Sequence, residues 1–138
     1  MTARIFLDTN VLLYSISSDP RERAKRERAM ALLDHNDCGL SVQVLQEFYV
    51  QATRSSRADA LPHDLAAGLI RTWLRFDVQE ITVAVLESAL EIKASHGFSY
   101  WDSAIIAAAR ALGCRELHTE DLSHGRIIDG VAIVDPFR

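Results

Sequence analysis

The chain has 138 residues, enough for one domain with a buried core. Its 49% hydrophobic and 25% charged residues mark a globular chain rather than a disordered or fibrous one, and no apolar run reaches the ~18 residues of a membrane span. The net charge of -4 argues against a generally basic nucleic-acid surface, unless the acids are concentrated in a metal site, and two isolated cysteines, Cys38 and Cys114, leave zinc without a site.

The opening residues Met-Thr-Ala-Arg-Ile-Phe-Leu-Asp run straight into an apparent strand with no secretory leader, so a cytoplasmic location is expected. Arg4 to Leu7 is short and apolar and ends on Asp8, as a strand buried on both faces would. Asn10 to Ile16 predicts a short helix with Asp8 or Thr9 at its start. Asp19-Pro20 starts a second helix, which turns Ala29, Leu32 and Leu33 inward and stops near His35-Asn36. Gly39 to Val42 reads as a second strand. The helix from Val42 to about Arg54 has an apolar stripe of Leu45, Phe48, Tyr49 and Ala52, and Glu47 projects away from it. Pro62 and Asp64 open a helix containing Leu65, Leu69, Ile70 and Trp73. Asp77 to Ile81 is a third strand. Thr82 caps a helix that stops at Gly97; Ser99 caps the next, which ends at Gly113. Arg115 to His118 and Val131 to Val134 complete the strands. The alternation predicts a single three-layer α/β/α domain over residues 1–138, around a central parallel sheet of about five short strands. Ligands of such sheets gather beyond the carboxyl ends of the strands.

Four acids fall where these elements would present them to a common cleft: Asp8 in Phe-Leu-Asp-Thr-Asn, Glu47 in Leu-Gln-Glu-Phe-Tyr, Asp102 in Tyr-Trp-Asp-Ser and Asp121 in Thr-Glu-Asp-Leu. At about 4 Å and an effective dielectric near 20, each like-charged pair costs roughly 4 kcal/mol, so a divalent cation is expected among them. Oxygen-only ligands point to Mg²⁺, or to Mn²⁺ in its place, and to phosphodiester cleavage. Each acid also has a plainer role: Asp8 as a helix cap, Asp102 as the return arm of a capping box with Ser99, Glu47 as an exposed glutamate and Asp121 as a turn acid. The basic run Arg21 to Arg28 is either a solvated mixed-charge helix face or a phosphate-contacting rim, with Arg23 and Arg26 as the RNA-binding candidates. Tyr100 and Trp101 either stack on a base or pack against the neighbouring helix, and packing is the favoured reading. His118 and His124 read as strand-end and loop residues rather than as bases.

Taken together, Ile5-Phe-Leu-Asp-Thr-Asn-Val-Leu-Leu-Tyr14, Ser41-Val-Gln-Val-Leu-Gln-Glu-Phe-Tyr49, Ser99-Tyr-Trp-Asp-Ser-Ala-Ile-Ile-Ala-Ala-Ala109, Thr119-Glu-Asp-Leu-Ser-His-Gly125 and Ile133-Val-Asp-Pro-Phe137 resemble the PIN-domain nucleases, specifically VapC-type toxins of bacterial type II toxin–antitoxin pairs. The resemblance implies a Mg²⁺-dependent endoribonuclease that leaves 5′-phosphate and 3′-hydroxyl ends. It also implies a homodimer and silencing by a cognate antitoxin. On this reading Asp8, Glu47, Asp102 and Asp121 are the catalytic, metal-binding residues, and Asn10 and Thr119 support them. Glu120 competes with Asp121, and the Thr-x-Asp spacing of the family favours Asp121. An antitoxin groove would involve the helices after Pro20 and Asp64, with Leu65 and Leu69, although such stripes also read as core. Two other readings remain: a receiver-like signalling domain with an acidic Mg²⁺ pocket, and a non-catalytic PIN-fold binding module. The receiver reading is poorly served, because the first strand yields one acid and the only lysines are Lys25 and Lys93.

Overall fold

In the computed structural model, which describes residues 3–138, the polar ends of the first and fourth strands meet at the middle of one sheet. Met1 and Thr2, the start of the expected domain, lie outside the described residues. The strands are β1 (Ile5–Leu7), β2 (Cys38–Ser41), β3 (Asp77–Gln79), β4 (Glu116–His118), β5 (Ile127–Ile128) and β6 (Val131–Val134). Their order is β3-β2-β1-β4-β6-β5, parallel throughout except for the β5–β6 pair. The helices are α1 (Thr9–Ser15), α2 (Arg23–Leu33), α3 (Val42–Ala52), α4 (His63–Trp73), α5 (Val83–His96) and α6 (Tyr100–Ala111).

This is the expected α/β architecture, with one strand more than anticipated. The added strand has a readable cause. Asp129-Gly130 forms a two-residue turn with φ of 48° and 86°, the left-handed pair that joins tight hairpins. It folds Ile127–Ile128 back onto Val131–Val134 in antiparallel register. Asp19-Pro20 begins a 3₁₀ turn, Pro20–Glu22, before α2 proper, and the expected helix ends slightly early, at Leu33.

β1 runs between β2 and β4, so Phe6 and Leu7 are fully buried. Each such side chain contributes about 1.5–3 kcal/mol of hydrophobic stabilisation. α6 buries every residue from Ser103 to Ala109 and packs on β2, β3, β4 and β6. Its alanines let the helix backbone lie close to the sheet, which brings its N-terminal turn to the strand ends. α3 buries Val44, Leu45, Phe48 and Ala52. Tyr49, expected in that stripe, is only half-buried; its hydroxyl meets His63 Nδ1 at 2.9 Å. Both cysteines are free and buried, and burial pushes their thiols up, Cys38 to about 11 and Cys114 to about 12.

Candidate active site

The parallel register places Leu7 beside His118, so the next residues of the two strands, Asp8 and Thr119, emerge together. Asp8 N donates to His118 O at 3.1 Å and Thr119 N to Val134 O at 2.9 Å, which continues the ladder past the assigned strand ends. Thr119 Oγ1 donates its one proton to Asp8 Oδ2 at 2.8 Å. The same oxygen accepts from Asn10 Nδ2 and from Asp121 N, each at 3.1 Å. Thr119 is fully buried, and its hydroxyl ties together Asp8, Asn10 and Asp121.

Asp8 is buried and also caps α1, its Oδ1 accepting from Thr9 N at 2.7 Å. Capping and facing the cleft are therefore not alternatives. Burial pushes its carboxyl up to about 6 and the nearby Asp121 and Glu47 charges add to the rise, against the lowering hydrogen bonds from Thr9 and Thr119. Glu47, on the second turn of α3, accepts from Thr9 Oγ1 at 2.7 Å, so the first helix and the third are linked at the cleft. Asp121 accepts from Asn10 Nδ2 at 3.1 Å.

Asp102 is half-buried in the first turn of α6. Its N–H donates to Ser99 Oγ at 3.1 Å, but among the described residues its carboxylate makes no return bond. Only half of the expected capping box forms, and the carboxylate stays free.

One cavity of about 170 Å³ is lined by Asp8, Asn10, Glu47, Trp101, Asp102 and Asp121, among others. The four predicted acids thus share a single hollow. Among the described residues, no three Asp, Glu, His or Cys side chains lie close enough together to hold a metal ion directly as they stand. The four carboxylates line one hollow without closing on a common point. That suits Mg²⁺, which gives up its waters reluctantly and is bound by one or two carboxylates with waters between. The donors are all hard oxygens, and Asn10 Oδ1 is a buried acceptor with no partner among the described residues. The residues present fit a hard divalent cation.

Glu120 points elsewhere. Tyr14 Oη donates to its Oε1, and Lys25 Nζ to its Oε2 at 2.8 Å. Desolvation alone would raise the Glu120 carboxyl, but the hydrogen bonds from Lys25 and Tyr14 outweigh it and hold the group below its ordinary value. His118 is buried, with Nε2 2.8 Å from Glu116 Oε1, and His124 Nδ1 accepts from Asp135 N at 3.0 Å. Trp101 reverses the packing expectation: it is 64% exposed at the cavity rim. Arg23 and Arg26 are exposed on α2, and neither lines the acid cavity or the two that adjoin it. The arginines that do are Arg54, beside Glu47, Gln51 and Trp101, and Arg57, beside Asn10 and Leu13. Their signal in the sequence was Arg-Ser-Ser-Arg directly after the Glu47 helix, a short polar loop carrying two positive charges.

The sequence matches the PIN-domain family over residues 5–128. This chain belongs to the PIN-domain family. No curated protein sequence matches it. Among solved structures it is similar to the Mycobacterium tuberculosis toxin VapC20, which cleaves the sarcin–ricin loop: TM-score 0.66, 22% identity, 85% of this chain and 89% of that one. A toxin–antitoxin complex from Klebsiella pneumoniae gives TM-score 0.69 at 20% identity, over 97% of this chain and 98% of that one. DNA-bound VapBC from Salmonella typhimurium gives 0.69 at 21%, with the same coverage. At these identities the shared property is the fold. Among the described residues, no helix of this PIN domain is long and apolar enough to cross a membrane.

Proposed function

We propose that this PIN domain is a metal-dependent endoribonuclease acting as the toxin of a toxin–antitoxin pair. The observation that carries the reading is the convergence of Asp8, Glu47, Asp102 and Asp121, from four separate segments, on one small cavity at the strand ends. Those carboxylates would hold Mg²⁺, or Mn²⁺ in its place. When bound, the ion would lower the pKa of an attacking water and offset charge on the phosphate oxygens. The chain's own residues supply the rest. Thr119 and Thr9 N–H orient Asp8, Thr9 Oγ1 orients Glu47, and Asn10 orients Asp121. Arg54 and Arg57 border the cleft and offer phosphate contacts, while Arg23 and Arg26 are available to a longer RNA lying along α2.

The solved relatives support the biological setting. One is described as a toxin that cleaves the sarcin–ricin loop, another as a toxin–antitoxin complex, and a third as DNA-bound VapBC. By that analogy the partner here is a cognate antitoxin. Leu65 is 51% exposed on α4 and Met30 47% exposed on α2, so apolar contact points for it exist on both helices. Leu69 is half-buried against the core. A homodimer is proposed as well. Val50, Ile81, Leu86 and Trp101 are exposed apolar residues around two adjoining cavities that share Gln43, Gln46 and Trp101, a face suited to a second copy. A cytoplasmic location follows from an RNA target.

The deciding experiment incubates purified chain with total RNA, with Mg²⁺ or with EDTA, beside Asp102→Asn. Cleavage that needs both the ion and Asp102, with 5′-phosphate ends, is the expected result. Equal cleavage in EDTA, or by Asp102→Asn, would defeat the reading.

A further inference from the structure

Past β4 the backbone leaves the strand at Thr119 and bends at Glu120 and Asp121. Thr119 is buried against Asp8, Glu120 faces the outer side of α1, and Asp121 lines the cavity. Beyond Asp121 the chain runs through an irregular loop to Gly125, whose N–H reaches Ile133 O at 2.8 Å. Nothing in regular secondary structure therefore fixes which of the two adjacent acids faces inward. Inside, Asp121 is held by one Asn10 hydrogen bond and by its own N–H to Thr119. Outside, Glu120 is gripped by groups from two helices, and a third segment backs them. Lys25 of α2 bonds it at 2.8 Å and bonds Tyr14 Oη of α1 at 3.2 Å. The Lys25 ammonium lies 4.8 Å from the Tyr14 ring centroid and 5.9 Å from that of Phe137 in the C-terminal segment. The Tyr14 and Phe137 rings meet edge-on with centroids 4.9 Å apart.

We propose that Lys25, acting with Tyr14 through Glu120, is a positioning residue for the acid cleft. It holds Glu120 outside, so that the shorter Asp121 carboxylate is the one presented to the cavity. This rests on the nuclease reading above and adds a residue set to it. The cluster pins α1, α2 and the C-terminal segment to the loop that carries the fourth acid. Its loss frees two neighbouring carboxylates of different length to exchange places.

The test is Mn²⁺ binding to RNA-free protein by calorimetry, together with kcat and KM for RNA, in Lys25→Met, Lys25→Arg, Glu120→Gln and the unaltered chain. Plain electrostatics and positioning predict opposite signs for Lys25→Met. Removing a positive charge near the site strengthens cation binding if charge alone matters. Loss of positioning weakens it, by roughly tenfold on the scale of outer-shell partners. The expected result is weaker Mn²⁺ binding and lower kcat in Lys25→Met, with KM little changed and most of the loss restored by Lys25→Arg. Unaltered or tighter Mn²⁺ binding in folded Lys25→Met overturns the proposal. If that variant does not fold, Glu120→Gln decides: full Mn²⁺ affinity and kcat there overturn it equally. If the unaltered chain neither binds Mn²⁺ nor cleaves RNA, the nuclease reading falls and takes this inference with it. An active chain with insensitive variants removes the positioning role alone.

Discussion

Asp8 and Asp102 line the same cavity but are held in opposite ways. Asp8 sits at the end of a central strand, buried, with both carboxylate oxygens accepting hydrogen bonds. Asp102 sits on the first turn of a helix, half-buried, and among the described residues its carboxylate accepts none. One wall of the cleft is preorganised at the expense of desolvating a charge. The other leaves its acid free to adjust to whatever enters. A hollow with one held and one free carboxylate suits the proposed binding of a hydrated ion and an RNA phosphate.

Replacing either acid should have the largest effect on activity. Asp8→Asn and Asp102→Asn are each expected to lower RNA cleavage by at least roughly a hundredfold with the fold retained, as read by gel assay and circular dichroism. A milder loss in Asp102→Asn than in Asp8→Asn would make the fixed wall the main ligand and the free wall an accessory.

Stability should separate the two walls more cleanly. Asp8 titrates at about 6 in the folded chain and near 3.8 unfolded. Between those values the folded state binds the extra proton, so metal-free stability falls as pH rises from about 4 to 6. At 1.36 kcal/mol per unit the loss attributable to Asp8 is of the order of 3 kcal/mol. Asp8→Asn should lack this fall and Asp102→Asn should retain it, in urea melts at pH 4, 5, 6 and 7. Added Mg²⁺ at pH 7 should recover stability in the unaltered chain and not in Asp8→Asn.

Thr119→Val tests the hydroxyl behind the fixed wall. It strips a donor from Asp8 and an acceptor from Asn10 and Asp121, with an expected cost of about 1–3 kcal/mol. Unchanged stability would mean that water replaces the hydroxyl. The smallest effect concerns RNA contact. Arg54→Ala should flatten the salt dependence of RNA binding by about 0.7 in log–log slope, one single-strand phosphate contact. The Arg23→Ala, Arg26→Ala pair should do less, because neither residue lines these cavities. The reverse order would move the RNA path onto α2.

Much of the fold was legible because its signals are local. Thr82 and Ser99, the expected caps, each accept a hydrogen bond from the N–H three residues on. Gly97 ends α5 with φ of 75°, where a side chain would be strained. The Asp129-Gly130 hairpin was equally local and passed unread, since Ile127–Ile128 is too short to stand out as a strand. Asp8, Asp102 and Asp121 were legible as residues near element ends, and Glu47 as an acid off the apolar stripe of its helix. Their partners left no local signal: Thr119 entered through the family resemblance alone and the Lys25–Glu120 pair not at all, since Thr119 to Asp8 and Lys25 to Glu120 span 111 and 95 positions. Trp101 and Tyr49 were misjudged because an aromatic side chain looks apolar in sequence whichever way it faces.

The order of residues by itself determined the α/β alternation, the caps and stops, three acids near element ends and a fourth off a helix's apolar stripe, because each depends on neighbours a few positions away. The tertiary structure decided which acid is buried and which is free, what holds Glu120 away from the cavity, and which arginines line the hollows beside it. Those outcomes depend on strand register and on helices meeting across the sheet, and neither is written in any short stretch of chain.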